Sequence, residues 1–396
     1  MATSADIVIV GGGVIGLSAA WELAQRSVSV CVVDPSAGHG ASWVAAGMLA
    51  PVTEAAFGED ALVRLAMAAA AHWPGFAARL DAATGLDSGF RRCGIVVVAL
   101  DASDRAAVDQ LLDFQHALGL DASRLSASEC RSLVPELAPG IRGGAHVPGD
   151  HQADNRKLVA ALLAGCAAAG VRLVEDRVVS VELDRRGAAC GVRTAGGRTL
   201  GATDVVVAAG AHTPRIAGVP EGVLPPVRPV KGHALRLRTT AARPALEHTV
   251  RGLVHGRHCY LVARDDGSVV LGATSEERGY DTSVQAGAVH ALLDDARLLV
   301  PAVDEWELVE CLAGLRPASP DNAPFVGPTS VPRLAVATGH YRNGILLAPL
   351  TAAAVAALFC TGAVPPPLDA FPADRSVHAG ATGSTGAVAP APAPGR

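Results

Sequence analysis

Charge is scarce in this sequence. Only 18% of its 396 residues are charged, and 33 Lys and Arg against 38 Asp and Glu leave a net charge of -5 with a pI near 6.2. Without a basic excess or a long basic run, a nucleic-acid surface is excluded on electrostatic grounds. The eight cysteines, at 31, 93, 130, 166, 190, 259, 311 and 360, include no C-x-x-C pair and no ligand spacing for a metal. They read as reduced, mostly buried thiols, and no metal centre is expected. No basic stretch precedes the N-terminal apolar run, which breaks at Gly11. That is neither a secretion signal nor a membrane span, so a cytoplasmic location without membrane attachment is expected. No internal repeat is visible. What the chain does have is apolar residues, 50% of the total, enough for a large core and about two domains.

The rest is organised around the first sixteen residues. Asp6 to Val10 reads as a buried strand running into Gly11-x-Gly13-x-x-Gly16. That spacing permits a tight turn and close backbone approach to a pyrophosphate, with a helix from Val14 aiming its positive end at the phosphates. A second buried strand, Val28 to Val33, ends in Asp34, 18 residues past Gly16, where a ribose hydroxyl acceptor belongs. These residues specify an adenine dinucleotide and leave NAD and FAD open.

Further along, Ala61 to Leu80 reads as a helix interrupted near Trp73-Pro74. Cys93 to Leu100 is a buried strand, Ala102 to Leu118 a helix capped by Asp101, and Arg156 to Ala169 a helix capped by Asp154. Asp204 to Gly210 is a late strand able to pass beneath the cofactor. From Val227 to Val270 short strands with hairpin signals predict antiparallel sheet, followed by a helix from Ser283 capped by Thr282 and a strand over Glu305 to Ala313. A second glycine turn, Gly339 to Gly344, feeds the apolar helix Ile345 to Phe359. The predicted fold class is α/β: a discontinuous Rossmann-like nucleotide domain over 1–85, 145–225 and 318–365, and an α+β substrate domain with a mainly antiparallel sheet over 86–144 and 226–317. The Ala/Gly/Pro-rich stretch 366–396 is expected to be disordered.

The stretches IVIVGGGVIGLSAAWELA, ASWVAAGMLAP, DVVVAAGAHT, PVKGHALRL, HCYLVAR, VVLGATSE, AGLRP with DNAPFVG, and GHYRNGILLAP together resemble the D-amino-acid oxidase superfamily, in particular its glycine oxidases of thiamine biosynthesis. The resemblance implies FAD as the cofactor. Gly11, Gly13, Val14, Ile15 and Gly16 would serve the pyrophosphate, Asp34 the ribose and Val178 the adenine, and Pro35, Ala41 and Gly210 would also contact the cofactor. Ser42, Ala46, Gly47 and Met48 would line the isoalloxazine, with His340, Tyr341, Arg342, Asn343, Gly344, Ile345 and Leu346 closing over its pyrimidine edge. Cys311 lies off the place of the family's flavin-attaching cysteine, which implies a non-covalent flavin.

Arg316 matches the family's substrate carboxylate clamp and Tyr260 the tyrosine that adds a hydroxyl donor to it; Arg342 matches a second cation. On the residues alone, Arg342 reads as a salt-bridged structural arginine and Arg316 is undecided, while His258 is as readily a structural histidine. The implied activity is oxidative deamination of glycine, sarcosine or D-alanine to an oxo acid and ammonia, with O2 reduced to hydrogen peroxide and the glycine imine passed to thiazole synthesis. Ser275 stands where glycine oxidases commonly carry Met, opening the preference to larger or N-substituted amines. A D-amino-acid or N-methyl amino acid dehydrogenase or oxidase of the same fold using another substrate or acceptor, and a flavin-binding protein without turnover, are the alternatives; an NAD-dependent dehydrogenase would have no reason for the GHYRNGILLAP segment. A homo-oligomer is expected from the resemblance.

Overall fold

In the computed structural model, which describes residues 5–240 and 246–376, the N-terminal strand Ala5–Val10 lies at the middle of an eight-stranded sheet. It pairs in parallel with Val30–Asp34 on one side and with the second half of Thr199–Val207 on the other; Arg172–Glu175 and Leu334–Thr338 extend the parallel part. Ala5–Val10, Val30–Asp34 and Leu334–Thr338 are apolar because both faces are covered, whereas the edge strand Arg172–Glu175 is half exposed. Val178–Leu183 and Ala189–Thr194 form an antiparallel wing on the first half of Thr199–Val207. Over one face pack the helices Val14–Ala24, Asp60–Thr84, Asn155–Ala168 and Gly344–Thr361, in a core that includes Ile9, Leu17, Trp21, Leu65 and Leu162.

The second eight-stranded sheet runs in the order Glu307–Ala318, Arg228–Arg238, Ser268–Gly272, Arg257–Ala263, Thr249–Val254, Ile95–Ala99, Gly144–Val147, Ser123–Leu125. Only the contact of Thr249–Val254 with Ile95–Ala99 is parallel. The helix Ala286–Leu299 packs Leu292, Ala296 and Leu299 against it. A three-stranded sheet of Met48–Leu49, His151–Ala153 and Phe90–Arg91 joins the two.

Several expectations are corrected. Gly144–Val147 belongs to the second sheet, so the first unit resumes after 147 rather than at 145. The helix Asp60–Thr84 runs through Pro74 without a break. The lost N–H is offset by the burial of Trp73 and Phe76, and by the Trp73 indole donating to the Leu346 carbonyl at 2.9 Å. The later helix begins at Ala286, with Gln285 rather than Thr282 at its cap position and no side-chain cap. The strand expected over Glu305 to Ala313 is Glu307–Ala318, twelve residues long, and carries Arg316. Residues 366–376 are ordered: Leu368 and Phe371 are buried, and Arg375 lies over the Phe325 ring and bonds Asp321. The remainder of that tail, 377–396, lies outside the described residues. The helix Gly344–Thr361 is long and apolar enough to cross a bilayer, but it is packed into the first core between Val14–Ala24 and Asp60–Thr84.

Candidate active site

One cavity of about 460 Å³ lies where the two sheets meet, running from the first glycine turn to the second sheet. Its closed end is built by the N-terminal strand. Gly11 has φ +107, and a Cβ there would lie 2.5 Å from the Ala208 carbonyl oxygen, so only glycine lets the turn pass over the end of the strand Thr199–Val207. The Asp34 carboxylate accepts from Gly12 N at 2.8 Å and from Ser36 N at 2.7 Å. Ser42, brought over by the short helix Gly40–Val44, accepts from Val14 N at 2.9 Å, whereas Gly13 N has no acceptor among the described residues. A helix N-terminus with a free amide beside a glycine cradle is a site for an anionic diphosphate.

Gly11, Gly13, Val14, Ile15, Asp34, Ala41, Ser42, Ala46, Gly47, Met48 and Gly210 all line this cavity. So do His340, Tyr341, Arg342, Asn343, Gly344 and Ile345, at the N-terminus of the last helix. Four residues expected there do not. Gly16 packs beneath Gly11, Pro35 lies outside, and Val178 is buried in the core under the antiparallel wing. Leu346 turns into the helix core, because position 346 lies on the face that meets Trp73. His340 is buried, its ring bonded to Thr351 Oγ1 at 3.0 Å, and burial pulls it down to about 3; it is neutral at physiological pH.

At the other end the second sheet supplies Arg316 and Tyr260. The strand opposite Arg316 carries Gly232, where a Cβ would fall 2.2 Å from the guanidinium. Arg316 Nη1 donates to the Thr274 carbonyl at 3.0 Å, and among the described residues no carboxylate pairs with it. Along Arg257–Ala263, His258 and Tyr260 line the cavity, while the side chains of Cys259 and Leu261 are fully buried in the core of the second sheet. Burial raises the Tyr260 hydroxyl, outweighing Arg316 and Arg342, so it stays a donor at neutral pH. The cavity thus contains a cation without a counter-charge next to a phenol, a pair suited to a carboxylate.

Two further residues complete this wall, and sequence reading missed both. Glu54 bonds Arg251 through one oxygen and Arg342 Nε, at 3.2 Å, through the other. Burial raises the Glu54 carboxyl, but the two guanidiniums outweigh it and hold it at about 2. Its backbone is set by Asp150, which accepts from Val52 N at 3.0 Å and Thr53 N at 2.8 Å. Burial, Arg251 and Arg342 pull His258 down to about 4, leaving it neutral. Arg342 is therefore both salt-bridged and cavity-lining. Cys311 does not line the cavity; it is half-buried and packs against the core of the second sheet. Ser275 stands exposed on the cavity wall.

Residues 6–358 match the family model described as DAO, FAD dependent oxidoreductase. The chain belongs to the family of FAD-dependent oxidoreductases. Among curated relatives, the glycine oxidase of Geobacillus kaustophilus is 37% identical over 357 residues, covering 89% of this chain and 92% of that protein. The bifunctional protein ThiO/ThiG of a Nostoc species is 34% identical over 372 residues, covering 94% of this chain and 55% of that protein; the chain spans about half the length of such bifunctional relatives. A hydrogen cyanide synthase subunit, HcnC, of Pseudomonas aeruginosa is 29% identical, covering 87% of this chain and 90% of that protein. The crystal structure of the Geobacillus kaustophilus glycine oxidase superposes with a TM-score of 0.86 at 35% identity, covering 95% of this chain and all of that one. That of an iminodiacetate oxidase from Chelativorans sp. BNC1 gives 0.82 at 26%, covering 93% and 98%. The residues of this flavoenzyme fit FAD: the Gly11 cradle and the free Gly13 amide suit its diphosphate, and the helix end at Gly344 suits the electron-rich edge of its reduced ring.

Proposed function

We propose that this flavoenzyme oxidatively deaminates glycine and small amines such as sarcosine and D-alanine, giving an oxo acid, hydrogen peroxide and ammonia (methylamine from sarcosine), and that the glycine imine it forms supplies thiazole synthesis in thiamine biosynthesis. The observation that carries the reading is Arg316, a cavity cation with no carboxylate partner among the described residues, beside the protonated Tyr260 hydroxyl. Its planar fork donates two parallel hydrogen bonds to the substrate carboxylate, and Tyr260 donates a third. The amine then projects into a space where the nearby imidazole, His258, is neutral and the nearby carboxylate, Glu54, is committed to Arg251 and Arg342. A substrate entering with a neutral amine needs no protein base. FAD held by these residues would supply the two-electron redox chemistry, with O2 as the acceptor.

The exposed Ser275 favours a second reading within the same class, in which larger or N-substituted amines are preferred; likeness to an iminodiacetate oxidase points the same way. An anaerobic panel of glycine, sarcosine, D-alanine and iminodiacetate, followed by bleaching of the flavin band, ranks them. Bleaching by none of the four overturns the amine-oxidase reading, and bleaching without oxygen consumption on aeration assigns another acceptor. The same reading makes the enzyme a cytoplasmic homo-oligomer, which sedimentation of the purified protein checks for assembly.

A further inference from the structure

Behind the segment Ser42 to Met48, which walls the cavity, lie two buried arginines with no part in the chemistry above. Arg264 is 5% and Arg236 8% exposed. Their guanidiniums are spent on the back of the segment: Arg236 donates to the Trp43 carbonyl at 3.2 Å, and Arg264 Nη2 to the Ala46 carbonyl. Asn155 takes the Ser42 and Trp43 carbonyls at 2.7 and 2.9 Å. Arg264 is itself locked. Its Nη1 donates to Gln152 Oε1, while Gln152 Nε2 donates to the Ala263 carbonyl at 2.7 Å. Its Nε has no hydrogen-bond partner, and the nearest counter-charge there is Asp154 Oδ2 at 3.7 Å.

Across a planar trans peptide, a carbonyl and the following N–H point in opposite directions. Holding the Ala46 carbonyl at the back therefore turns the Gly47 N–H to the cavity side, where it has no acceptor among the described residues. Gly47 adopts φ +78, and the place of a Cβ is occupied by the Ala153 carbonyl 1.9 Å away, so no side chain shields this amide. Ala153 N closes the arrangement by donating to the Gly47 carbonyl at 2.8 Å.

We infer that Arg264 is a positioning residue for the flavin: it fixes the Ala46–Gly47 peptide so that the Gly47 N–H is held toward the redox ring, and its buried charge favours the anionic reduced state, raising the reduction potential. The direction follows from charge. Oxidised flavin is neutral and the reduced form anionic, so a fixed donor and a cation behind it stabilise only the latter. This rests on FAD binding and not on which amine is oxidised.

The test uses holoenzyme and no amine substrate. Sulfite adds reversibly to oxidised flavin and reports its electrophilicity; the midpoint potential is read by dye-coupled reduction. Arg264→Met is expected to weaken sulfite binding about tenfold and to lower the two-electron potential by about 30 mV, the same factor converted. Arg264→Lys, which keeps the charge but not the fork, is expected to fall between the two. Should Arg264→Met not retain FAD, Arg264→Lys carries the test alone, with an expected loss of about threefold. Wild-type sulfite affinity and potential in an FAD-loaded variant overturn the inference. Neither readout depends on amine turnover, so a failed substrate panel leaves this test standing.

Discussion

Replacing Arg316 with Met removes the one cavity guanidinium that no carboxylate pairs with among the described residues. The magnitude follows from what the fork does. Two charge-assisted hydrogen bonds of about 1.5–3 kcal/mol each are lost, about 3–6 kcal/mol in all, so kcat/KM for glycine should fall by about 10²–10⁴. Folding should hardly notice, because Arg316 is bonded only to carbonyls, with Thr274 O at 3.0 Å, and Met fills the space beside Gly232 without a buried charge. The variant should hold FAD. Anaerobic stopped-flow bleaching against glycine concentration separates the effects: half-saturation moves out of range while flavin content and melting temperature stay near wild type. Arg316→Lys, a charge without the fork, should recover only part of the loss. Wild-type concentration dependence in Arg316→Met would refute the carboxylate clamp, and joint loss of flavin and fold would refute the claim that Arg316 is structurally idle.

Glu54 ionises at about 2 in the fold against an ordinary 4.5, so its contribution is present above about pH 4.5 and is lost as pH falls through 2. Urea unfolding of wild type and Glu54→Gln should therefore show a gap of about 3 kcal/mol at pH 7 that shrinks to about 1 kcal/mol at pH 3; a constant gap contradicts the ion-pair account. Gly11→Ala puts a Cβ 2.5 Å from the Ala208 oxygen at φ +107, and should give protein with little FAD by absorbance ratio. Asp101→Ala removes the side-chain acceptor that caps the helix Ala102–Ala117, leaving the Asp104 carboxylate on the backbone N–H of residue 101, and should cost about 1 kcal/mol in urea unfolding without change in turnover. Acid precipitation should release yellow colour into the supernatant, since Cys311 lies away from the cavity; colour retained in the pellet means a covalent link.

The first sheet was legible because its signals are local. A buried strand, a glycine turn and a helix follow one another within Ala5 to Ala24, and the capping residues Asp101 and Asp154 sit next to the helices they start. What escaped were features decided by distant partners. Pro74 is tolerated because Trp73 reaches Leu346 across the core, and Pro317 continues a strand because its opposite number is Pro229, so neither is asked for an N–H by the other. Residues 366–376 look like a linker by composition, yet Arg375 finds Asp321 and the Phe325 ring.

The site shows the same division more sharply. Arg316, Tyr260 and the turn at Gly339 are each marked by a compact motif, whereas Glu54 and Arg251 lie 197 positions apart in unremarkable surroundings. Their importance is a matter of charge balance. One carboxylate is shared by two guanidiniums, so the Arg251, Glu54 and Arg342 group retains one net positive charge at the cavity wall, in addition to Arg316. An anionic substrate and an electron-rich reduced ring each add negative charge to this enclosed space, and two uncompensated cations are what they require there. Glu54 thus limits the positive charge as well as placing it: without it the wall would carry two cations beside Arg316, and bound anions such as chloride or sulfate would compete with the amino acid. Glu54→Gln should accordingly be inhibited by millimolar sulfate where the wild type is not; equal inhibition of the two would remove Glu54 from the charge balance of the site.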